Sequence, residues 1–161
     1  MQRLLALEPD HVEALQYLVR ARLKAADDAD SLEESDRLMV EARAFLHRAY
    51  RADNADYATL LLIAENRVGG EGYPNDNDVA VLEQAFALAP QLGQARINLA
   101  QVLMIKDRNA EAVILLEPMV NDPHNPSSGA RHLLLRARGM SEAEADAEGP
   151  PEAAATAAAS D

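Results

Sequence analysis

The chain has 161 residues and no cysteine, so its length fits about one domain, and disulfides, thiolate metal sites and a catalytic thiol are excluded. Hydrophobic residues make up 48% and aromatic residues only 4%, a composition typical of closely packed helices. The net charge is −12, but six acids lie in 27–36 and six in 141–161, which leaves 15 acidic residues against 15 basic ones elsewhere. The two acidic runs are expected to be solvated, and the sequence lacks the basic face that binds nucleic acid.

Apolar residues recur at helical spacing along most of the chain, and they predict an all-α fold of about eight helices. Ser31 with Glu34 is expected to form a capping box at the third helix, Ser127 to cap the last helix, and Gly139 to end it. Residues 140–161 are acidic, Ala-rich and interrupted by Gly-Pro-Pro, which predicts a disordered tail. In chain order, the helices are predicted over 1–8, 11–25, 31–52, 55–68, 76–89, 92–106, 109–121 and 127–138.

The breaks between helices recur at a regular spacing. The pattern Leu-x-x-Ala-x-x-x-x-Pro occurs as Leu82, Ala85 and Pro90, and proline stops a helix because it has no N–H and clashes with the preceding turn. The corresponding closing positions lie 45, 36 and 34 residues apart, and a 34-residue helix–turn–helix period is the tetratricopeptide (TPR) signature. The longer intervals require insertions, which we place around Lys24–Asp36 and at Gly69–Asn75. The closing positions are Pro9, Asn54, Pro90 and His124.

Over residues 1–139 the chain resembles the TPR family with degenerate repeats. The second-helix Ala of the family is present as Ala42 and Ala112, whereas the Trp, Gly and Tyr of its first helix are replaced. The resemblance implies a TPR-like helix–turn–helix solenoid, an α-α superhelix. The stretch from LEQAFALAP to LEPMVNDPH is also similar to C-terminal TPR regions of some proteobacterial extracytoplasmic proteins that carry a peptidase-like domain upstream.

The sequence lacks the motifs that would carry catalysis or hold a metal or cofactor. It has no HExxH, no pair of histidines four residues apart and no GxxxxGK[ST]. The glycine-rich stretch Gly69–Gly72 follows a helix, and no lysine comes after it as a phosphate-binding loop would require. Ser127-Ser128 lacks the sequence context of a nucleophile elbow. We therefore expect a non-catalytic chain without cofactor or metal.

The TPR resemblance implies a concave groove lined by the first helix of each repeat. Its long polar and apolar side chains would suit an extended peptide or a helix of a partner protein, while an ordinary solvated wall is the alternative interpretation. Of the Lys and Asn positions that clamp chaperone C-termini in some TPR proteins, only Asn98 fits, so that ligand is not expected. The residues carried over to the groove are Gln16, Arg20, Leu61, Glu65, Gln94, Ile97, Asn98, Gln101 and Arg131.

These patterns favour a protein–protein interaction module, or scaffold, of bacterial style. No stretch approaches 18 uninterrupted apolar residues, so we expect a soluble chain without membrane insertion, in the cytoplasm or the periplasm. Two alternatives stay open: an accessory TPR region of a larger, peptidase-like enzyme, and a structural module that forms a homodimer by stacking of an end helix. The identity of the partner does not follow from the sequence.

Overall fold

The computed structural model describes residues 2–124, 127–141 and 144, and within these residues the protein is all α, with eight helices and no strand. Every predicted helix is confirmed, with both ends within two residues of the predicted bounds. No helix in the described ranges has the length and apolar character needed to cross a membrane. The helices are α1 Gln2–Leu7, α2 Val12–Asp27, α3 Leu32–Ala52, α4 Tyr57–Arg67, α5 Asp76–Leu88, α6 Gly93–Ile105, α7 Asn109–Val120 and α8 Ser128–Ala137.

The helix ends follow local side-chain chemistry. The Ser31 hydroxyl accepts a hydrogen bond from the Glu34 N–H (3.2 Å), which confirms the Ser31 cap, but the reciprocal bond of the predicted capping box, from the Ser31 N–H to the Glu34 side chain, is not formed. The Glu34 carboxylate lies 3.6 Å from Arg37. Ser127 caps α8 by accepting from the Ala130 N–H (3.2 Å), also as predicted.

Gly139 ends α8 in the left-handed region, at φ +93°, which residues with a side chain rarely adopt. Its N–H donates to the Arg136 carbonyl (3.0 Å), and the Met140 N–H donates to the Leu135 carbonyl (3.1 Å). This pair of bonds is a Schellman motif, and it confirms the predicted stop. Of the predicted tail, only residues 140, 141 and 144 are described; the other residues of 140–161 lie outside the described part of the chain.

The chain divides into two compact units, Met1–Ala89 and Pro90–Asp161. In the first unit, α2 packs on α3 and α4 packs on α5, while α2 and α3 both contact α4. In the second unit, α7 packs against both α6 and α8. Neighbouring helices therefore pair in the solenoid-like manner that the sequence predicts.

Leucine and alanine form the core of the first unit. Leu15, Leu60 and Leu82 are fully buried, and the small residues Ala42 and Ala49 let α3 approach its neighbours closely. Burial of each leucine side chain contributes about 1.5–3 kcal/mol. The eleven-residue insertion lengthens α2 and α3 to 16 and 21 residues instead of forming a long loop.

In the second unit, Arg96 occupies a position where the apolar pattern of α6 would place a hydrophobic residue. Its guanidinium donates to the carbonyl of Pro90 (3.0 Å) and to that of Leu115 in α7 (3.3 Å). The charged head thus satisfies two backbone acceptors. Leu99 and Leu116 are buried in the core of this unit.

Candidate functional site

Two of the predicted groove residues in the first unit lie inside the protein. Gln16 is only 6% exposed, and its Nε2 donates to the Asp56 carboxylate and to the Thr59 hydroxyl (2.9 Å). Leu61 is also buried, whereas Arg20 and Glu65 are exposed. The structure therefore uses Gln16 to join α2 to the start of α4, because Asp56 itself caps α4 through the Thr59 N–H (2.7 Å).

The predicted groove residues of the second unit are more accessible. Gln94 and Gln101 are exposed, and Ile97, Asn98 and Arg131 are half-buried. The Gln94 amide donates to the Asn98 side-chain oxygen (2.6 Å), one turn further along α6. The joint use of all nine positions as one groove stays a prediction.

A cleft of about 600 Å³ opens in the first unit, on the side of α3 and α5. One face of α3, with residues at the i, i+3, i+4 and i+7 positions, forms one wall. The last turns of α4 form the floor, and the start of α5 forms the other wall. The lining residues are Arg43, Leu46, His47 and Tyr50 of α3, Ile63, Asn66 and Arg67 of α4, Gly70 and Glu71 of the connecting loop, and Asn77 and Val81 of α5.

The cleft stays open because of the side chains on this face of α3. Toward its packed neighbours α3 presents Ala42 and Ala49, which are fully buried and allow close helix contact. Toward the cleft it presents Arg43, His47 and Tyr50, whose long or aromatic side chains are all exposed. A helix face of this composition offers binding groups to a ligand without sealing against another helix.

Arg67 and Asp78 fix the geometry of the floor and the second wall. The Arg67 Nε lies 3.0 Å from Asp78 Oδ1 and its Nη2 3.3 Å from Oδ2, a bidentate pair between the end of α4 and the start of α5. Asp78 Oδ2 also accepts the Asn75 N–H (2.9 Å), and the Asn75 side chain accepts the Asp78 N–H (3.1 Å), so the two residues form a complete capping box.

This pair is ionised. Burial disfavours the charged form of Asp78, but the hydrogen bonds from Arg67 and from the Asn75 N–H outweigh burial and place the pKa of Asp78 below its ordinary value. The hydrogen bond to Asp78 raises the pKa of Arg67 in turn. Nearby, burial and the Asp78 charge raise the pKa of the Tyr73 hydroxyl. Much of the Arg67 charge is therefore neutralised by its own partner.

Hydrogen-bond donors without partners remain in the cleft. Arg43 has no hydrogen-bond or ion-pair partner within the described ranges. The Asn66 Nδ2 is shielded from solvent and has no hydrogen-bond partner there either. An unmade bond of a buried donor costs about 1–3 kcal/mol, so an acceptor that reached Asn66 would stabilise the site.

The cleft residues were missed at the sequence level because the TPR resemblance directs attention to first helices, whereas the cleft lies on α3 and α5. Two signals could have indicated it. The spacing of Arg43, His47 and Tyr50 gives α3 a second, polar-aromatic stripe, and Arg67 and Asp78 bracket a glycine-containing loop.

Comparisons of the chain with protein-family models, with curated proteins and with solved structures found no match. Among the described residues, no group of three or more His, Asp or Glu side chains could hold a metal ion. The interpretation of the site therefore depends on the side chains of this chain.

Proposed function

We propose that this chain is a non-catalytic protein-binding module that holds a peptide or a helix of a partner protein. The observation that supports the proposal best is the open cleft of the first unit, where three helical elements present apolar and unpaired polar side chains together. The TPR resemblance supports the same conclusion, since stacked helical hairpins commonly offer such surfaces to partners. The module would act in the same way alone or as an accessory region of a larger enzyme.

The dimensions and chemistry of the cleft suit this use. Its volume lies within the roughly 300–1,000 Å³ typical of ligand clefts. Leu46 is buried in the α3 wall, Ile63 and Val81 are half-buried, and Tyr50 is 38% exposed. An apolar side chain of a ligand would cover these groups, and polar groups around them would fix its orientation.

Selection of a random displayed-peptide library on the intact chain tests the proposal. Peptides that bind should lose affinity in Tyr50→Ala, because an interface aromatic typically contributes more than ~1 kcal/mol when it is central to binding. Tyr57→Ala is the matched control, since Tyr57 is 42% exposed on α4 but does not line the cleft. The proposal fails if no peptide is enriched; enriched peptides that bind both variants equally would place binding outside the cleft.

A further inference from the structure

We infer that the segment held in the α3–α4–α5 cleft is acidic, with an Asp or Glu side chain that pairs with Arg43 and an adjacent apolar side chain that enters the cleft; this rests on the function proposed above. The acidic character of the segment follows from the balance of donors and acceptors in the lining and from the state of each charged group.

Hydrogen-bond donors predominate among the lining side chains. Arg43 brings five N–H donors and Asn66 a buried amide donor, and neither group has a partner within the described residues. Glu71, in the exposed loop, supplies the one carboxylate of the lining. A ligand that matches this surface must bring acceptors, and an ionised carboxylate is an acceptor-only group that pairs with arginine through two parallel bonds.

The charge available to a ligand is mainly that of Arg43. Arg67 is engaged by Asp78 through two of its nitrogens, so it acts as a rigid part of the floor. Gly70 lies tightly against it: a Cβ at this position would come within 3.1 Å of the Arg67 carbonyl oxygen and 3.3 Å of Nη1. Arg43, in contrast, is exposed on α3 and free to reach a carboxylate above the cleft.

Asn66 adds a second point of contact. Its side-chain torsion next to the amide is broad, so a small rotation would turn Nδ2 toward an acceptor in the cleft. The buried donor would then gain the hydrogen bond that it lacks among the described residues. An acidic segment gains from Arg43, which would repel a basic segment, and a backbone carbonyl or a carboxylate of the ligand can accept from Asn66.

The negative net charge of the chain is compatible with an acidic ligand. In the first unit, residues 27–36 hold six acids and no base, and the rest of the unit holds 11 acids against 9 bases. Asp36, the last acid of that run, precedes Arg43 by seven residues on α3. At 1.5 Å per residue this separation is about 10 Å along the helix axis, beyond the screening length of ~8 Å at physiological ionic strength. Short-range, charge-assisted hydrogen bonds can therefore determine which segment binds.

The experiment uses the full chain and the library selection described above. Peptides whose binding depends on Tyr50 should be enriched in Asp and Glu next to an apolar residue. Resynthesised with Gln in place of Glu, they should bind at least tenfold more weakly by fluorescence anisotropy. Arg43→Gln should cause a similar loss, Arg51→Gln should not, and Glu71→Gln should tighten binding. Arg51 is the matched control because it is exposed on the same helix and does not line the cleft.

A charge-reversal pair separates recognition from a structural effect. Arg43→Glu should abolish binding of the acidic peptide and accept the same peptide with Lys in place of Glu, a gain that damaged folding cannot produce. Tyr50-dependent peptides without acidic enrichment would overturn this inference and leave the proposed function intact. Loss of binding only when the peptide C-terminus is amidated would overturn the assignment to a side-chain carboxylate. Enriched peptides that bind Tyr50→Ala as well as the parent chain would overturn this inference, and absence of any enriched peptide would refute both proposals.

Discussion

The Asp78 carboxylate lies across from the Arg67 guanidinium in a bidentate ion pair, and the same carboxylate closes the capping box of α5 with Asn75. One side chain, 2% exposed, thus starts a helix and joins it to the end of the preceding one. Asp78 fixes both ends of the loop between α4 and α5, because it pairs with Arg67 at the end of α4 and accepts the Asn75 N–H at the start of α5. The position of the second wall of the cleft therefore depends on it.

Replacement of Asp78 should reduce stability more than replacement of an exposed acid does. In Asp78→Asn the amide keeps the size of the side chain but cannot accept both arginine bonds, and we expect the free energy of unfolding to fall by about 1–3 kcal/mol. Urea denaturation followed by circular dichroism measures the loss. Glu111→Gln is the control, because its ion pair with Arg108 is exposed and such pairs contribute little. Equal midpoints for the two variants would contradict the structural role of Asp78.

The same carboxylate should make stability depend on acid pH. The pKa of Asp78 is lowered in the folded protein, so its contribution is complete above the unfolded value of about 3.9 and is lost as pH falls through the folded pKa. As the pH falls below 5, the free energy of unfolding of the parent chain should therefore decrease more than that of Asp78→Asn. Urea midpoints of both proteins measured over this range give the difference. A constant difference at all pH values would show that Asp78 titrates normally.

Gln16 should affect folding through its buried hydrogen bonds. Gln16→Ala leaves the Thr59 hydroxyl and the Asp56 carboxylate without their common donor, which we expect to lower the free energy of unfolding by about 1–3 kcal/mol. Arg20→Ala, one turn later on the exposed side of α2, should change it little. If thermal or urea melts show no difference between the two variants, water replaces the hydrogen bonds of the Gln16 amide without loss of stability.

Ile97 and Arg131 distinguish the cleft from the first-helix groove. A peptide that Tyr50→Ala releases should bind Ile97→Ala and Arg131→Ala as well as it binds the parent chain, because neither residue lines the cleft. Arg136→Ala, exposed on the same helix as Arg131, is the control for the loss of a positive charge. If the selected peptides are instead released by Ile97→Ala and Arg131→Ala but retained by Tyr50→Ala, the groove predicted from the TPR resemblance is the binding surface.

Helix positions were predictable because their causes are local. The apolar period and the capping side chains act within one or two turns, so Ser31, Ser127 and Gly139 could be identified from their neighbours alone. The cap at Asn75 was missed, since Asp at the third helical position forms the reciprocal bond there in place of the expected Glu or Gln.

Side-chain roles were less predictable because they depend on partners distant in sequence. The TPR resemblance implied a groove position for Gln16, whereas its amide donates to Asp56 and to Thr59, which is more than forty residues away in sequence. Arg96 interrupts the apolar pattern of α6, and the sequence offers no reason for it. In the structure its guanidinium donates to the carbonyls of Pro90 and Leu115. No sequence period encodes such pairings.

The pairing of consecutive helices within each unit has a kinetic consequence. Contacts between helices that are adjacent along the chain close short loops, so the entropic barrier to folding is low and the rate is expected to be high. The α2–α3 hairpin, with helices of about 24 and 32 Å, is the longest such element and should form the most persistent cooperative unit of the first half. Its backbone amides should exchange with deuterium more slowly than those of the shorter α4–α5 hairpin, whose connection bears the cleft. The cleft would then lie on the hairpin of the first unit whose backbone amides exchange faster. A bound segment would be detected because it slows the exchange of those amides.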